Sequence, residues 1–433
     1  GLDTSSSMDA VSPKRLVQAD NIIFTTRGSR KKRYGLTRYD NGAVMDPAVA
    51  RDMRGGFDFW RLTGTSRTQR LVFFAGGRLY ADNADGIFAD VTGTTALVSA
   101  DRVTFDVIVG MLVAGFENVV PQRWTQTGNF TNLGGTPPRG SLVRKAFGRL
   151  WLAGINTAPH RLAYSAADDP ENWTLAAGGG DMDLDVGDRD PVGITAIFPQ
   201  FHNFLYVAKR RSIMRLDNET APSLFNLQTV VEGIGCVEHN SVVAVGNDIY
   251  FASERGYHKL SATEKQGDVE ESFLSFKVHT IFQNEIDFAL AKNMWAVHIP
   301  EIDSIMLSYT RRGSPTSRDG ILFHLSLGEW FRWNEMDLAA PLIYLNTQRN
   351  ARCLIGDETG RVGLLDRDTV TDFGSRVDAI FRTGIIYPDG NPTSQWGFKS
   401  LTVVFRPQGA YNFTVRVQID GQETDTLLFD QSG

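Results

Sequence analysis

The stretch Gly246-Asn247-Asp248-Ile249-Tyr250-Phe251-Ala252 is a turn that runs into a short apolar strand ending in a small residue. The same pattern recurs at residues 77–81, 148–153 and 202–208. After a short loop a second strand follows, as at residues 212–216. The closest copies are spaced near the roughly 45 residues expected of a β-propeller blade. Because a unit this small cannot bury both of its faces, several units must pack radially.

The chain divides into three predicted regions. Residues 1–50 do not repeat and are predicted to form an N-terminal arm with one entry strand. The repeating units fill residues 51–370, and their uneven spacing predicts a degenerate β-propeller of about six or seven blades. Residues 371–433 contain longer alternating strands, which predict a C-terminal β-sandwich or platform. The start without methionine and the end just after a strand-like stretch lead us to expect that one or both ends are missing.

Composition supports an all-β chain and limits the possible functions. The 433 residues include 42 glycines, 27 phenylalanines and 8 tryptophans, which favours many short strands over long helices. A net charge of -6 argues against a basic scaffold that wraps nucleic acid. The two cysteines, Cys236 and Cys353, are predicted to be buried free thiols. No apolar run approaches the roughly 20 residues that cross a bilayer, and no cofactor motif is evident, so we expect neither a membrane span nor a cofactor.

An acidic run offers the single weak candidate for a metal site. Asp181, Asp183 and Asp185 place carboxylates two residues apart, as calcium loops do. An EF-hand loop would need glycine and glutamate where this chain has Val186 and Val192. A bound cation and a solvated turn between blades are both compatible with the run, and the turn is favoured.

One segment is faintly similar to the aspartate box of sialidase propellers. Ser165, Asp168 and Trp173 follow its order, but the glycine is absent and there is a single copy. A β-turn begun by Asp168-Asp169-Pro170, with the tryptophan covering a blade edge, is the favoured explanation of the segment. Because no paired carboxylates, nucleophile elbow or metal-binding pair stands out, the sequence predicts no enzyme.

The densest positive patch lies in the arm. It comprises Arg27, Arg30, Lys31, Lys32 and Arg33. Contact with nucleic-acid phosphates would be one use of this patch. An exposed turn and a contact with an acidic neighbouring subunit are the alternatives, since the patch lacks the interleaved aromatic residues of strand-binding surfaces.

Several stretches together resemble the tail nozzle or hub proteins of short-tailed bacteriophages, a group that includes packaged-DNA stabilisation proteins. In the arm, residues 20–24 lead to Arg30-Lys31-Lys32-Arg33-Tyr34-Gly35. Residues 77–80 are similar to a first-blade hairpin, and residues 233–236 with 247–252 to a mid-propeller segment. The strongest match runs through residues 294–300, 305–309 and 329–333, a hairpin followed by a tryptophan strand.

The resemblance implies a structural virion protein without an active site. Copies would form a homo-oligomeric ring, expected to be a hexamer, below the portal and its adaptor. The ring would retain packaged DNA, conduct it during ejection without sequence specificity, and carry tail fibres or a needle. It would be assembled in the host cytoplasm and reside in the virion tail.

Two other functions remain open from sequence. A sialidase-like propeller glycosidase is suggested by residues 165–173 and by the number of arginines. An interaction propeller of the host cell is the other alternative, because one fold carries many functions. Both are less favoured than the virion tail component.

Overall fold

The computed structural model describes residues 1–7, 10–12, 14–25, 29–40, 52–83, 85–184, 192–217, 221–261, 273–387, 413–419 and 422–429. The chain divides into two units, residues 1–385 and residues 386–433. The first unit is a β-propeller of seven blades, each a separate sheet of mainly antiparallel strands. The predicted all-β propeller is therefore confirmed, and the blade number is seven.

Four short strands precede the blades. They are β1 (Leu16–Asp20), β2 (Ile22–Phe24), β3 (Arg30–Lys32) and β4 (Gly35–Arg38). Strands β2 and β3 pair with each other as a hairpin, whereas β1 and β4 join blades that lie far along the chain. The N-terminal arm is therefore part of the propeller rim.

Blades 1 to 4 follow in chain order, with four strands each. Blade 1 contains β5 (Met53–Thr63), β6 (Ser66–Ala75), β7 (Arg78–Asp82) and β8 (Phe88–Asp90). Blade 2 contains β9 (Val103–Ile108), β10 (Met111–Phe116), β11 (Gln122–Trp124) and β12 (Thr131–Asn132). Blade 3 contains β13 (Leu142–Ala146), β14 (Arg149–Ala153), β15 (Arg161–Tyr164) and β16 (Gly180–Asp183). Blade 4 contains β17 (Ala196–Ile197), β18 (Phe204–Ala208), β19 (Ser212–Asp217) and β20 (Leu227–Glu232).

Blades 5 to 7 complete the ring. Blade 5 contains β21 (Val243–Val245), β22 (Asp248–Ala252) and β23 (Tyr257–Lys259). Blade 6 is built on β24 (Trp295–Ile299), β25 (Ser304–Arg311), β26 (Ser314–His324) and β27 (Glu329–Trp333). Blade 7 is built on β28 (Ala339–Leu345), β29 (Ala351–Gly356) and β30 (Val362–Asp366). Three short strands follow, namely β31 (Thr371–Asp372), β32 (Ser375–Arg376) and β33 (Ile380–Thr383).

The recurring sequence motif corresponds to strands inside the blades. It forms the second strand of blades 3, 4 and 5 and the third strand of blade 1. In blade 3 the turn before it contains Gly148 at φ +69°, a backbone conformation that glycine adopts without strain. All five side chains of β14 are buried, because this strand packs between two neighbouring blades.

The core lies in layers between adjacent blades. Apolar side chains of one blade face pack against those of the next, as Phe74 of blade 1 does against Phe116 of blade 2 at a ring distance of 5.2 Å. The largest layer surrounds blade 6 and includes the fully buried Trp330 and Trp333. Strand β28 of blade 7 contacts β5 of blade 1, so the seven innermost strands form a closed ring.

Strands that precede and strands that follow the blades in the sequence pair together at the outer edges of blades 6 and 7. In blade 6, β1 lies between β27 and β33; in blade 7, β4 lies between β30 and β31. Strand β4 pairs antiparallel with β30 through Leu36 and Leu365. We call this arrangement of β1, β4 and β31–β33 the double closure. It holds blades 6 and 7 with backbone hydrogen bonds between residues more than three hundred positions apart.

In the second unit the structure describes one hairpin, formed by β34 (Phe413–Ile419) and β35 (Gln422–Phe429). The C-terminal β-sandwich therefore stays a prediction. Residues 371–383, which the sequence assigned to that region, pair instead with strands of the propeller rim.

Helical structure is limited to short segments. The helices of the described ranges are Leu175–Ala177, Pro222–Leu224, His239–Ser241, Phe276–Val278, Ile281–Glu285, Phe288–Asn293 and Pro300–Ile302. None of the helices in these ranges has the length and apolar character needed to span a bilayer.

Candidate functional site

The innermost strands surround a channel, and one mouth of this channel contains a polar pocket. The pocket lies where the inner strands of blades 2, 3, 4 and 6 begin, and its volume is about 310 Å³. We call it the channel-mouth pocket. Its charged and polar side chains include Arg102, Glu117, Asn156, Arg210, Glu238 and Lys292. Pockets with a few convergent polar groups are the usual place for ligand binding in a fold of this kind.

Side chains bridge the channel at this mouth. Arg102 precedes the inner strand of blade 2, and its Nη1 lies 3.2 Å from Oε2 of Glu238, which precedes the inner edge of blade 5. The side-chain amide of Asn240 donates a hydrogen bond to the Val103 carbonyl over 3.4 Å. Because blades 2 and 5 lie on opposite sides of a seven-membered ring, these contacts restrict passage through the channel.

The buried ion pair determines the electrostatics of the pocket. Glu238 is only 2% exposed, and burial raises the pKa of its carboxyl while the charge of Arg102 lowers it. The same guanidinium lies 3.5 Å from Oε1 of Glu117. One arginine thus holds two carboxylates, an arrangement that stabilises the mouth as long as both charges remain paired.

A second buried contact lies deeper in the channel wall. Nη2 of Arg144, on β13, is 2.8 Å from Nε2 of His239, and its Nε donates to the Ile197 carbonyl over 3.2 Å. Burial, together with the charges of Arg144 and Arg102, lowers the pKa of His239 well below its usual value. This imidazole is therefore neutral at pH 7 and serves as an acceptor within the wall.

Both glutamates of the pocket are paired with one arginine. A glycosidase needs two carboxylates that face the sugar, whereas Glu117 and Glu238 both engage Arg102. Arg210 pairs with Glu254 over 2.8 Å, which leaves Lys292 as an exposed cation at the rim. Within the described ranges, no three or more His, Cys, Asp or Glu side chains come together as a metal site would require.

The basic cluster of the arm is divided by the fold. Arg27 lies outside the described residues. Arg30 is exposed and stacks 5.5 Å over the ring of Phe381, while Nζ of Lys31 lies 4.7 Å from the ring of Tyr34. Burial lowers the pKa of the partly buried Lys32. Arg30 and Lys31 are therefore the members best placed to meet a phosphate or an acidic neighbour.

Arg33 does not belong to that surface, so the contact predicted for it is wrong. Its side chain is fully buried and donates to both oxygens of Asp372, with Nη1 2.8 Å from Oδ1. Its Nε donates to Asn21 over 3.0 Å, and Nη1 also donates to the Tyr34 carbonyl. Arg33 thus joins the start of β4 to β31 and is a structural part of the double closure.

The acidic run is only partly described. Asp181 and Asp183 lie on β16 and both pair with Arg161 of the neighbouring strand, at 3.0 and 3.2 Å. Asp185 lies outside the described residues. The two described carboxylates thus have an arginine between them, an arrangement that favours the interpretation as a solvated strand end over a cation site.

The segment with the sialidase-like order forms the connection between β15 and β16. Its backbone turns back on itself through a hydrogen bond from the Ala166 amide to the Asn172 carbonyl. Trp173 packs against the apolar layer between blades 2 and 3. The two cysteines are buried and free, as predicted.

Sequence reasoning missed the residues of the channel-mouth pocket. Arg102 and Glu238 are single charges that directly precede inner strands, and they are 136 positions apart. The available signal was local: each is a charged residue followed within two positions by a strand or turn of the channel wall. Their pairing depends on the ring, which only the assembled blades provide.

Comparison with known proteins shows solved structures with a similar fold but identifies no family for this chain. No protein-family model matches the chain, and no curated protein matches it. Among solved structures, the chain is similar to the WD40 β-propeller domain of Doa1, with 11% identity, a TM-score of 0.45, and coverage of 77% of this chain and 97% of that one. It is also similar to BamB from Moraxella catarrhalis, with 12% identity, a TM-score of 0.39, and coverage of 81% and 97%. At these values the likeness carries no functional argument.

Proposed function

We propose that this chain is a structural, non-catalytic protein of a short-tailed bacteriophage tail. Copies would assemble in the host cytoplasm into a hexameric nozzle or hub of the virion, below the portal and its adaptor. This ring would retain packaged DNA, conduct it during ejection and support fibres or a needle. The proposal draws on the likeness in residues 20–35 and 294–333 and on one feature of the propeller.

The double closure is the observation that carries the proposal. Each subunit of a ring that retains packaged DNA must resist load, and a propeller whose blades formed an open ring would separate at its weakest joint. Here β1 and β4 are each inserted between two strands of blades 6 and 7. The buried pair of Arg33 and Asp372 reinforces the same place. A rigid ring of this kind offers large loop surfaces for self-association.

The route of DNA in this proposal lies between copies of the chain. Arg102 and Glu238 approach to 3.2 Å across the mouth of the propeller channel. A DNA duplex, whose major groove alone is about 12 Å wide, cannot pass such a mouth. A conduit for the genome therefore requires several propellers arranged around a common lumen.

The test is imaging of the purified chain by negative-stain microscopy, with mass measured by light scattering. Each measurement is made alone and with a portal–adaptor complex. We expect rings with a central hole, either alone or on the adaptor. An unrelated seven-bladed propeller of similar mass serves as the control and should remain dispersed. Monomers in both conditions would contradict the proposal and would leave the glycosidase and host-interaction alternatives for testing.

A further inference from the structure

The first hairpin of blade 1 extends beyond its blade. Strands β5 and β6 pair over their whole length, from Met53 with Ala75 to Thr63 with Ser66. Strand β7 pairs with β6 only at residues 71–75. Residues 59–70, which we call the hairpin ribbon, therefore form a two-stranded arm with no third strand beside it in the described part of the chain. At a rise of about 3.3 Å per residue the arm is roughly 20 Å long.

The hairpin ribbon carries three arginines, of which Arg67 lies near enough to Asp58 to act on that carboxyl: burial raises the pKa of Asp58, and the charge of Arg67 acts to lower it. Arg61 donates to the carbonyl of Thr125, Arg67 stacks over an indole, and no ion pair involving Arg61, Arg67 or Arg70 is found among the described residues. Most other described arginines of the propeller pair with an Asp or Glu, as Arg78 does with Asp90. Three unpaired guanidinium groups within ten positions of a chain of net charge -6 indicate an external anion.

An aromatic side chain, Trp60, lies beside Arg67 on the opposite face of the ribbon from Arg61 and Arg70. The guanidinium of Arg67 lies 4.6 Å from the ring centre of Trp60, and the indole N–H donates to Asp58 over 3.0 Å. The indole plane is thereby fixed beside a cation. Basic groups interleaved with aromatic rings are typical of surfaces that bind nucleic acid.

We propose that the hairpin ribbon binds the phosphate backbone of DNA. A two-stranded ribbon has dimensions that fit the major groove, and its arginines would lie along the phosphates. Arg61 and Arg70 lie diagonally across one face, where such neighbours are about 7–8 Å apart. A protein partner would be expected to cover a contiguous apolar patch, whereas the ribbon tip exposes a single large aliphatic side chain, Leu62.

The experiment measures binding of the full chain to a labelled mixed-sequence duplex of about 30 base pairs by fluorescence anisotropy. Each phosphate contact adds about 0.9 to the slope of log affinity against log salt, so three contacts predict an affinity loss of about 40-fold between 50 and 200 mM salt. The R61Q/R67Q/R70Q variant should lose this dependence. The R78Q/R161Q/R376Q variant removes the same charge from paired surface arginines and should bind as the wild type does.

Because Arg61 also bonds to Thr125, the R67Q/R70Q variant provides a second measurement in a chain that keeps this contact. It should lose about two thirds of the slope. Absence of binding by the wild type at 50 mM salt, or equal loss in both triple variants, would overturn the proposal. Tighter binding of labelled poly-glutamate than of DNA, lost in the R61Q/R67Q/R70Q variant, would assign the ribbon to an acidic protein instead.

The choice of DNA as the probe rests on the proposed function, but the two can fail separately. Rings observed by negative-stain microscopy without ribbon-dependent DNA binding would refute the inference alone. Ribbon-dependent DNA binding by a chain that never forms rings would refute the nozzle assignment alone.

Discussion

Replacing Arg33 by methionine should destabilise the propeller far more than replacing a neighbouring exposed arginine. The Arg33 side chain is fully buried, and its loss leaves the carboxylate of Asp372, which is 15% exposed, without a cation. The substitution also removes the hydrogen bonds that Arg33 donates to the Asn21 side chain and to the Tyr34 carbonyl. Breaking a buried ion pair by removing one partner costs about 3–5 kcal/mol. The equilibrium constant for unfolding should therefore rise more than a hundredfold.

Urea unfolding followed by tryptophan fluorescence measures this effect, since Trp333 lies 5.9 Å from the Arg33 guanidinium. At a slope of about 3 kcal/mol per molar urea, the midpoint should fall by about 1 M or more. The matched control is R376M, which removes a paired arginine of β32. Arg376 and its partner Asp378 are both exposed, so the loss of this pair should cost less than about 1 kcal/mol.

A double variant separates the ion pair from the packing around it. In R33M/D372N the unpaired carboxylate is gone. D372N should therefore lower the free energy of unfolding by less in the R33M background than in the wild type. If R33M and R376M shift the midpoint equally, the closure at β4 does not depend on the buried pair. The structural argument for a reinforced rim would then be refuted.

Three further predictions concern buried ionisable groups. Burial raises the pKa of Asp337 to about 6 in the folded chain, against 3.8 in the unfolded chain. The protonated carboxyl therefore stabilises the fold below pH 3.8, and this stabilisation is lost as the pH rises through about 6. In urea titrations D337N should raise the free energy of unfolding by up to about 3 kcal/mol at pH 7 and by little at pH 4. R102M leaves Glu238 without its cation and should lower the free energy of unfolding by about 3–5 kcal/mol at pH 7. The loss should be smaller at pH 5, where the buried carboxyl can take up a proton. An equal loss at both pH values would contradict the buried pair. Burial raises the pKa of Cys236 to about 12 and also raises that of Cys353, so iodoacetamide at pH 8 should label neither thiol before unfolding, as mass spectrometry would show.

The sequence predicted the local hairpins well because their signals are local. The strand predicted at residues 204–208 is β18, and the strand predicted at residues 249–252 lies within β22. In each of them a turn residue precedes an apolar run, and buried strands need both features. The predicted blade range of six or seven also included the observed number.

The contacts that close the propeller could not be predicted in this way. Strand β4 has only four residues, and its partner β30 begins at residue 362. Nothing within a window of ten residues identifies that pairing. Arg33 was assigned to a surface patch for the same reason, because a run of basic residues does not show which member will be buried. The Arg102–Glu238 pair likewise depends on blades that meet only after the ring forms.

The double closure also determines when the protein can finish folding during its synthesis. Strand β4 leaves the ribosome before any of the blades, but β31 and β33 follow more than three hundred residues later. At ordinary rates of translation the early strands wait on the order of tens of seconds for their partners. A nascent chain that stops before residue 371 lacks β31 and β33, the outer neighbours of β4 and β1. The double closure therefore forms only after all seven blades have been synthesised.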